Sequence, residues 1–332
     1  MSDMGAVLTP SRRWTLAAVV AIYIGVTALV LSRIDTGTLE QAWSLPWWLV
    51  AGMLGLSLIN YLLRAWRWEM LSRTLSLHVP VLSNALYYFS GYALTATPGK
   101  AGEAIRLWFL KSGHGIGYSR SLPLMLADRA LDVWAVTLLT LVSFSGFQAY
   151  RWHGVALVVM VVLVSLPLLR PRLFEPVLLW CAGWLRGRRR LLVRVRRMVR
   201  AMARLSSWKT YGYTLLPSVL GWWAEAAALY VILRHFGADL TLANAVFVFA
   251  FGMIVGAISM LPGGLGGTEA TMILLLKALG VPLDVALLST ALVRATTFWF
   301  AVALGLALTP SAIAASRRAA VSAGVPAVGR AI

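Results

Sequence analysis

The sequence predicts an all-α polytopic membrane protein with six full transmembrane spans and two re-entrant helical hairpins arranged as inverted repeats. Three observations lead there. First, 60% of the 332 residues are hydrophobic and only 13% are charged, a balance outside the range of soluble domains. Second, the apolar residues fall in long runs, with Trp43, Trp47, Trp48, Trp66 and Trp68 near run ends where interfacial anchors belong. Third, two motifs rhyme: Pro98-Gly99-Lys100-Ala101-Gly102-Glu103 and Pro262-Gly263-Gly264-Leu265-Gly266-Gly267-Thr268-Glu269. Each closes an apolar run, and each is followed, 26 and 25 residues later, by an arginine in another apolar run, Arg129 and Arg294. A helix-breaking turn with an acid at membrane depth, made twice, points to a site built from two internal repeats.

The elements follow in order. Residues 14–32 come after Arg12-Arg13 and show no small-x-small cleavage site, so they read as an uncleaved first span. Residues 43–63 are the next span. The run 79–97 and the short piece 101–110 flank the first Pro-Gly turn. A ten-residue helix covers about 15 Å, half of a hydrocarbon core, so the short piece is the second limb of a hairpin and not a crossing. Then come span 121–147, connecting span 154–169, a basic segment at 170–209 and span 211–233. The second hairpin pairs 241–261 with 268–280, and the last span is 283–309. The tail 310–332, rich in Ala, Ser and Gly, reads as flexible.

Charge sets the topology. With each hairpin entering and leaving by a single side, the first from the cytoplasm and the second from outside, Arg12, Arg13, Arg64, Arg67, Arg73, Lys111, Arg120, the nine arginines from Arg186 to Arg204, Lys209, Arg317, Arg318 and Arg330 share one face. The opposite face holds Arg33, Asp35, Glu40, Arg151, Arg234, Asp239 and Asp284. That is the positive-inside distribution, and it places both termini in the cytoplasm. Residues 43–147 and 211–309 then form two oppositely inserted three-element units, flipped by the span at 154–169.

The net charge of +18 is explained by this distribution, and no nucleic-acid motif accompanies it. At 186–204 basic and apolar residues alternate at helical spacing. That suits either a surface helix on anionic phospholipid headgroups or a solvated loop. Cys181 stands alone, so no intrachain disulfide forms. His78, His114, His153 and His235 are scattered without metal-ligand spacing, and no metal or cofactor is expected.

Seven ionisable groups lie inside the apolar segments: Glu103, Asp128, Arg129, Asp132, Glu225, Glu269 and Arg294. Each would cost about 2.5–3.5 kcal/mol facing lipid at a helix centre, so they are expected to pair around a polar cavity. Arg106, one turn after Glu103, joins them, yet two of the five acids remain unpaired, which calls for protonation or an external cation. Glu103 and Glu269 sit at half-helix starts, where free N–H groups and the dipole favour an anion; a plain helix cap explains them less fully. Asp128 and Asp132, spaced i,i+4 beside Arg129, serve either the site or the anchoring of a helix end near the interface. Gly102, Gly263 and Gly266 let a ligand approach backbone amides, while Pro98, Gly99, Pro262 and Gly264 break the helices. The expected substrate-binding set is Gly102, Glu103, Arg106, Arg129, Glu225, Gly263, Gly266, Glu269 and Arg294.

At these residues the sequence resembles the flippase-like, lysylphosphatidylglycerol synthase transmembrane-domain family. The resemblance rests on Pro98-Gly-Lys-Ala-Gly-Glu-Ala-Ile-Arg106, Asp128-Arg-Ala-Leu-Asp132, Leu261-Pro-Gly-Gly-Leu-Gly-Gly-Thr-Glu269 and Leu292-Val-Arg294, and covers about 45–309. Asp128 departs from the glutamate expected before the arginine. The resemblance implies lipid handling. In the multiple peptide resistance factors this domain is linked to moving an aminoacylated phospholipid between leaflets, beside a soluble aminoacyltransferase domain; the short stretch after the last span leads to the expectation that this chain does not synthesise lysyl-lipid. Stand-alone relatives are associated with polyprenyl-linked sugars or hopanoid-type lipids.

The expected function is therefore translocation of a phospholipid or a polyprenyl/glycolipid-type amphiphile, with Arg106, Arg129 and Arg294 engaging a phosphate. Glu103, Glu225 and Glu269 would orient those arginines, hold a cationic head group or carry a proton. The alternatives are an intramembrane enzyme acting on a lipid phosphate or glycolipid, and a non-transporting partner of a lipid-synthesis complex.

Overall fold

The computed structural model describes residues 44–97, 102–144 and 189–322, with a few isolated positions besides. The expected spans at 14–32 and 154–169, the helix breakers Pro98 and Gly99, and the last ten residues lie outside the described residues. Within them the secondary structure is helical, with no strand.

Pro46 starts α1 (Trp47–Thr74), 28 residues long and so about 42 Å. Its buried stripe includes Met53, Ser57, Asn60, Arg64, Arg67 and Leu71, stepping by three or four residues along one face. The first hairpin is α2 (Val81–Ser90), a 3-10 turn (Gly91–Leu94) and α3 (Ile105–His114). The expected limb 79–97 is thus helical only to Leu94. At Gly91 the guanidinium of Arg106 takes the place of a side chain: a Cβ there would lie 2.2 Å from Arg106 Nε. After α4 (Tyr118–Val142) come the basic helix α5 (Arg189–Leu205) and α6 (Trp208–His235). The second hairpin is α7 (Leu242–Ile258) and α8 (Gly267–Ala278), joined through a short turn at Pro262–Gly264. Its limbs touch closely, since a Cβ on Gly256 would meet Thr268 Oγ1. Last come α9 (Leu283–Arg294), a π-helical turn (Ala295–Trp299) and α10 (Phe300–Ser322), together one continuous helical rod.

Among the described residues, three helices are long and apolar enough to cross a membrane: Trp47–Thr74, Trp208–His235 and Leu283–Ser322. The third corrects the expectation for the tail, because residues 310–322 are helix and not flexible chain. Ala312 is fully buried and Ser316 Oγ lies 2.9 Å from Ser112 Oγ on α3. Small residues at that crossing let two helices pack closely, which composition alone disguises as a disordered tail.

The packing is reciprocal. α1 lies along α6; the first hairpin packs on α10; α7 of the second hairpin packs on α4. Two cores result. One gathers Tyr61, Trp68 and Leu71 of α1 with Leu124 and Leu131 of α4, the first hairpin and Ala301 and Ala312 of α10. The other gathers Leu49 and Met53 of α1 with Ala135 and Leu139 of α4, most of α6 and the second hairpin. The hairpins therefore lie toward opposite ends of α1 and α4. Trp47, Trp48 and Trp66 are exposed as interfacial anchors should be. Trp68 is not one of them: it is fully buried, and its Nε1 donates to Asn84 Oδ1 at 2.9 Å.

Candidate functional site

Four arginines and three carboxylates meet where α1, α3, α4 and α6 converge. Arg64 and Arg67 come from α1, Arg106 from α3, Asp128, Arg129 and Asp132 from α4, and Glu103 from the turn before α3. Asp132 accepts from Arg64 Nη2 at 2.7 Å, Arg67 Nη1 at 2.8 Å and Trp222 Nε1 at 3.2 Å. Asp128 accepts from Arg67 Nε at 3.0 Å and Arg129 Nη2 at 2.7 Å. Arg67 also donates to Ser218 Oγ of α6 at 2.7 Å. Glu103 lies 3.0 Å from Arg106 and 3.3 Å from Arg129, and accepts from Thr95 Oγ1 at 3.0 Å. Such charge-assisted contacts are what let ions exist inside apolar helices.

Aromatic rings pack over the guanidinium planes. Arg106 sits 3.9 Å from the Tyr88 ring centre, and Arg64 sits 5.1 Å from that of Trp222, a cation–π arrangement that favours desolvated arginine. Arg67 and Arg106 are sealed, whereas the Arg129 side chain keeps 24% of its surface. Arg64 Nε and Arg129 Nε have no acceptor among the described residues.

The second cluster belongs to the second hairpin. Arg294 Nε donates to Glu269 Oε1 at 2.6 Å, and Arg294 Nη2 donates to the Gly263 carbonyl at 3.2 Å. The Gly266 N–H donates to Glu269 Oε2 at 2.6 Å, so this carboxylate also caps α8. Gly263 has φ of 63° and the Phe298 ring stands where its Cβ would be, so the turn needs glycine there. Phe298 in turn packs under Arg294, 4.6 Å from its guanidinium.

The carboxylate of each repeated motif thus meets the arginine that follows it: Glu103 with Arg129 and Glu269 with Arg294. Tyr61 of α1 ties the clusters together. Its hydroxyl donates to the Thr297 carbonyl, in the π-helical turn just after Arg294, while Arg64 lies one turn further along α1. Glu225 is buried on α6 one turn after Trp222. Gly102 closes the first hairpin instead of lining a surface: its N–H donates to Thr97 Oγ1 at 2.6 Å, and a Cβ would lie 2.5 Å from Leu94 Cβ. Pro262 and Gly264 form the second hairpin's turn as expected.

Two corrections concern charge. Asp128, Arg129 and Asp132 do not sit near a helix end, since α4 begins at Tyr118 and places them in its middle turns. Arg64 and Arg67, assigned by sequence to a cytoplasmic flank, are buried in the cluster. With them, Arg64, Arg67, Arg106 and Arg129 surround Glu103, Asp128 and Asp132, and Arg294 pairs with Glu269, so the formal count at these positions and Glu225 is five arginines to five carboxylates instead of three to five. A usable signal was present in the sequence: Ser57, Asn60, Arg64 and Arg67 form one polar stripe at helical spacing, running out of an apolar segment.

Compared with known proteins, residues 15–305 match the lysylphosphatidylglycerol synthase TM region. The chain belongs to this family. Similar members include a UPF0104 membrane protein of Methanothermobacter thermautotrophicus, 27% identical over 88% of this chain and 94% of that one. Another, from Pyrococcus horikoshii, is 26% identical over 74% of this chain and 82% of its own length. A phosphatidylglycerol lysyltransferase of Staphylococcus haemolyticus is 29% identical over 32% of this chain and 13% of its own length. This family member is accordingly a helical membrane protein.

Proposed function

We propose that this chain translocates a lipid between leaflets, a phospholipid or a polyprenyl/glycolipid-type amphiphile, with the head group held between the two hairpins. The single observation that carries the reading is the repeated pair: a glutamate at the start of each hairpin's second limb, bonded to an arginine on the next long helix. In this reading the chain has six full spans and two re-entrant hairpins as inverted repeats in the cytoplasmic membrane of a bacterial-type cell, with both termini inside. The reciprocal packing of each hairpin on the other unit's last helix supports it, as such a symmetry places a site where the broken elements meet.

The balanced charges suggest how a head group is taken in. A lipid phosphate replaces a carboxylate at Arg129, or at Arg294 beside the partly exposed Glu269, gaining bidentate contacts. The displaced Glu103 or Glu269 then pairs with a cationic part of the head group or takes up a proton. Arg106 stays with Glu103 and the Tyr88 ring, positioning them in place of a direct contact. Rocking of one unit on the other changes the leaflet faced, while the acyl chains stay in lipid. The similarity to part of a phosphatidylglycerol lysyltransferase favours a phospholipid.

The test uses proteoliposomes containing the full chain and tail-labelled fluorescent phosphatidylglycerol or polyprenyl phosphate, with dithionite bleaching of the outer leaflet. The wild type is expected to bring inner-leaflet label out. Glu269→Gln and Arg294→Met are expected to slow this about tenfold, the equivalent of one lost contact of roughly 1.4 kcal/mol. Wild-type vesicles bleaching like empty ones, for both labels, defeat the proposal. Lipid recovered with a changed mass instead assigns an intramembrane transferase.

A further inference from the structure

A second basic feature lies away from the paired ions. α5 buries Val199, Met202 and Leu205, at three-residue spacing, against the body of the protein. Its other face carries Arg196, Arg197, Arg200 and Arg204, all exposed. Between this face and the adjoining ends of α1 and α4 is a cavity of about 630 Å³, lined by those four arginines, Arg120 and Leu75 among others. Among the described residues no carboxylate lines it. Arg120 is steadied by donating to the Ser76 carbonyl at 3.3 Å. It stands in the first turn of α4, after an N-cap, Gly117, that offers no side-chain cap, so the positive end of the helix dipole lies beside it. Lys111, over the Tyr118 ring, adds a further cation nearby.

We propose that this cavity is a binding site for an anionic lipid head group bearing two phosphates. Five guanidiniums exceed what one phosphate can use, since each phosphate is satisfied by two or three. The occupant is a lipid and not a free anion because exposed Tyr118 and Trp208 mark this end of the helices as headgroup level. Leu75 gives the glycerol or acyl region an apolar contact. Basic pockets at the ends of spans take such lipids. Along α4, Arg120 and Arg129 are nine residues apart, about 13–14 Å, so the bound head group is a separate occupant from any ligand at the paired ions.

The purified full chain is titrated in detergent with cardiolipin, with phosphatidylglycerol at twice the molar amount, and with sodium pyrophosphate, and bound species are counted by native mass spectrometry. Cardiolipin is expected to bind at least about tenfold more tightly than phosphatidylglycerol. At about fivefold per arginine, R196Q/R200Q/R204Q weakens it roughly a hundredfold, and R196K/R200K/R204K, keeping charge without the fork, falls between. These side chains are exposed, so both variants should elute and melt as the wild type does; if the glutamine variant does not, the lysine variant alone decides. Equal retention of cardiolipin by the variants, or no preference over phosphatidylglycerol, overturns the proposal. So does pyrophosphate competing as well as cardiolipin, which makes the site one for soluble anions. Binding is read without any lipid movement, so the result stands apart from the translocation reading.

Discussion

Arg67 and Arg73 lie six residues apart and carry the same charge, yet replacing each by Met should have very different consequences. Arg67 is fully buried and donates to Asp128, Asp132 and Ser218. Arg73 is 68% exposed at its side chain and pairs only with Glu69 one turn away. Arg67→Met leaves Asp128 with Arg129 at 2.7 Å and Arg106 at 3.7 Å, and Asp132 with Arg64 at 2.7 Å, so neither acid is orphaned. What is lost is three charge-assisted hydrogen bonds, and Ser218 Oγ loses a donor. At about 1.5 kcal/mol or more for each hydrogen bond to a charged group, partly offset because both acids keep a partner, the loss comes to about 3–5 kcal/mol. At roughly 2 °C per kcal/mol for a chain of this size, the midpoint falls about 6–10 °C. Arg73→Met should stay within about 0.5 kcal/mol, as exposed i,i+4 pairs do. The assay is the temperature at which half of a fluorescent fusion is lost from the monodisperse peak in size-exclusion chromatography, in one detergent. Similar small shifts for both would mean that Arg67 is a flank charge, and the buried cluster would then be wrong.

Two further outcomes follow from packing. Gly305→Ala places a Cβ 2.3 Å from Ala93 N and 2.8 Å from Tyr92 C; backbone cannot swing aside, so α10 must leave the first hairpin, at about 1–3 kcal/mol by the same melting assay. Deleting residues 310–332 removes Ala312 and Ser316 from the first hairpin; limited proteolysis is then expected to cut near 111–117 faster than in the intact chain, and equal cutting of the two would contradict the helical packing.

Sequence alone singled out Glu103, Arg129, Glu269 and Arg294, because the same motif recurs at nearly the same spacing, but which carboxylate meets which arginine came from the structure. The sequence also carried α6, whose apolar run needs only length and hydropathy to be seen. Arg64 and Arg67 escaped because an apolar run is judged to stop at its first charge, whereas α1 continues four turns beyond Asn60 on the strength of partners 61–68 residues away. Those partners are tertiary, and no local pattern fixes them. Residues 310–322 escaped for the opposite reason: Ala and Ser look featureless until a second helix, with Gly113 and Ser112, fits against them. The inward turn of Arg106 depends on Gly91, fifteen residues earlier, and becomes legible only when the hairpin is closed.

The mutual bracing of the two halves sets an order of events for the growing chain. The first hairpin leaves the ribosome roughly 200 residues before α10, its main cover, or about 10–40 s earlier at ordinary synthesis rates. Until then Tyr92, Ala93 and the sealed guanidinium behind them have only α1 and α4 for company. Neither half can reach its final shape first, and a chain severed between them should mature only when both fragments are made in the same membrane.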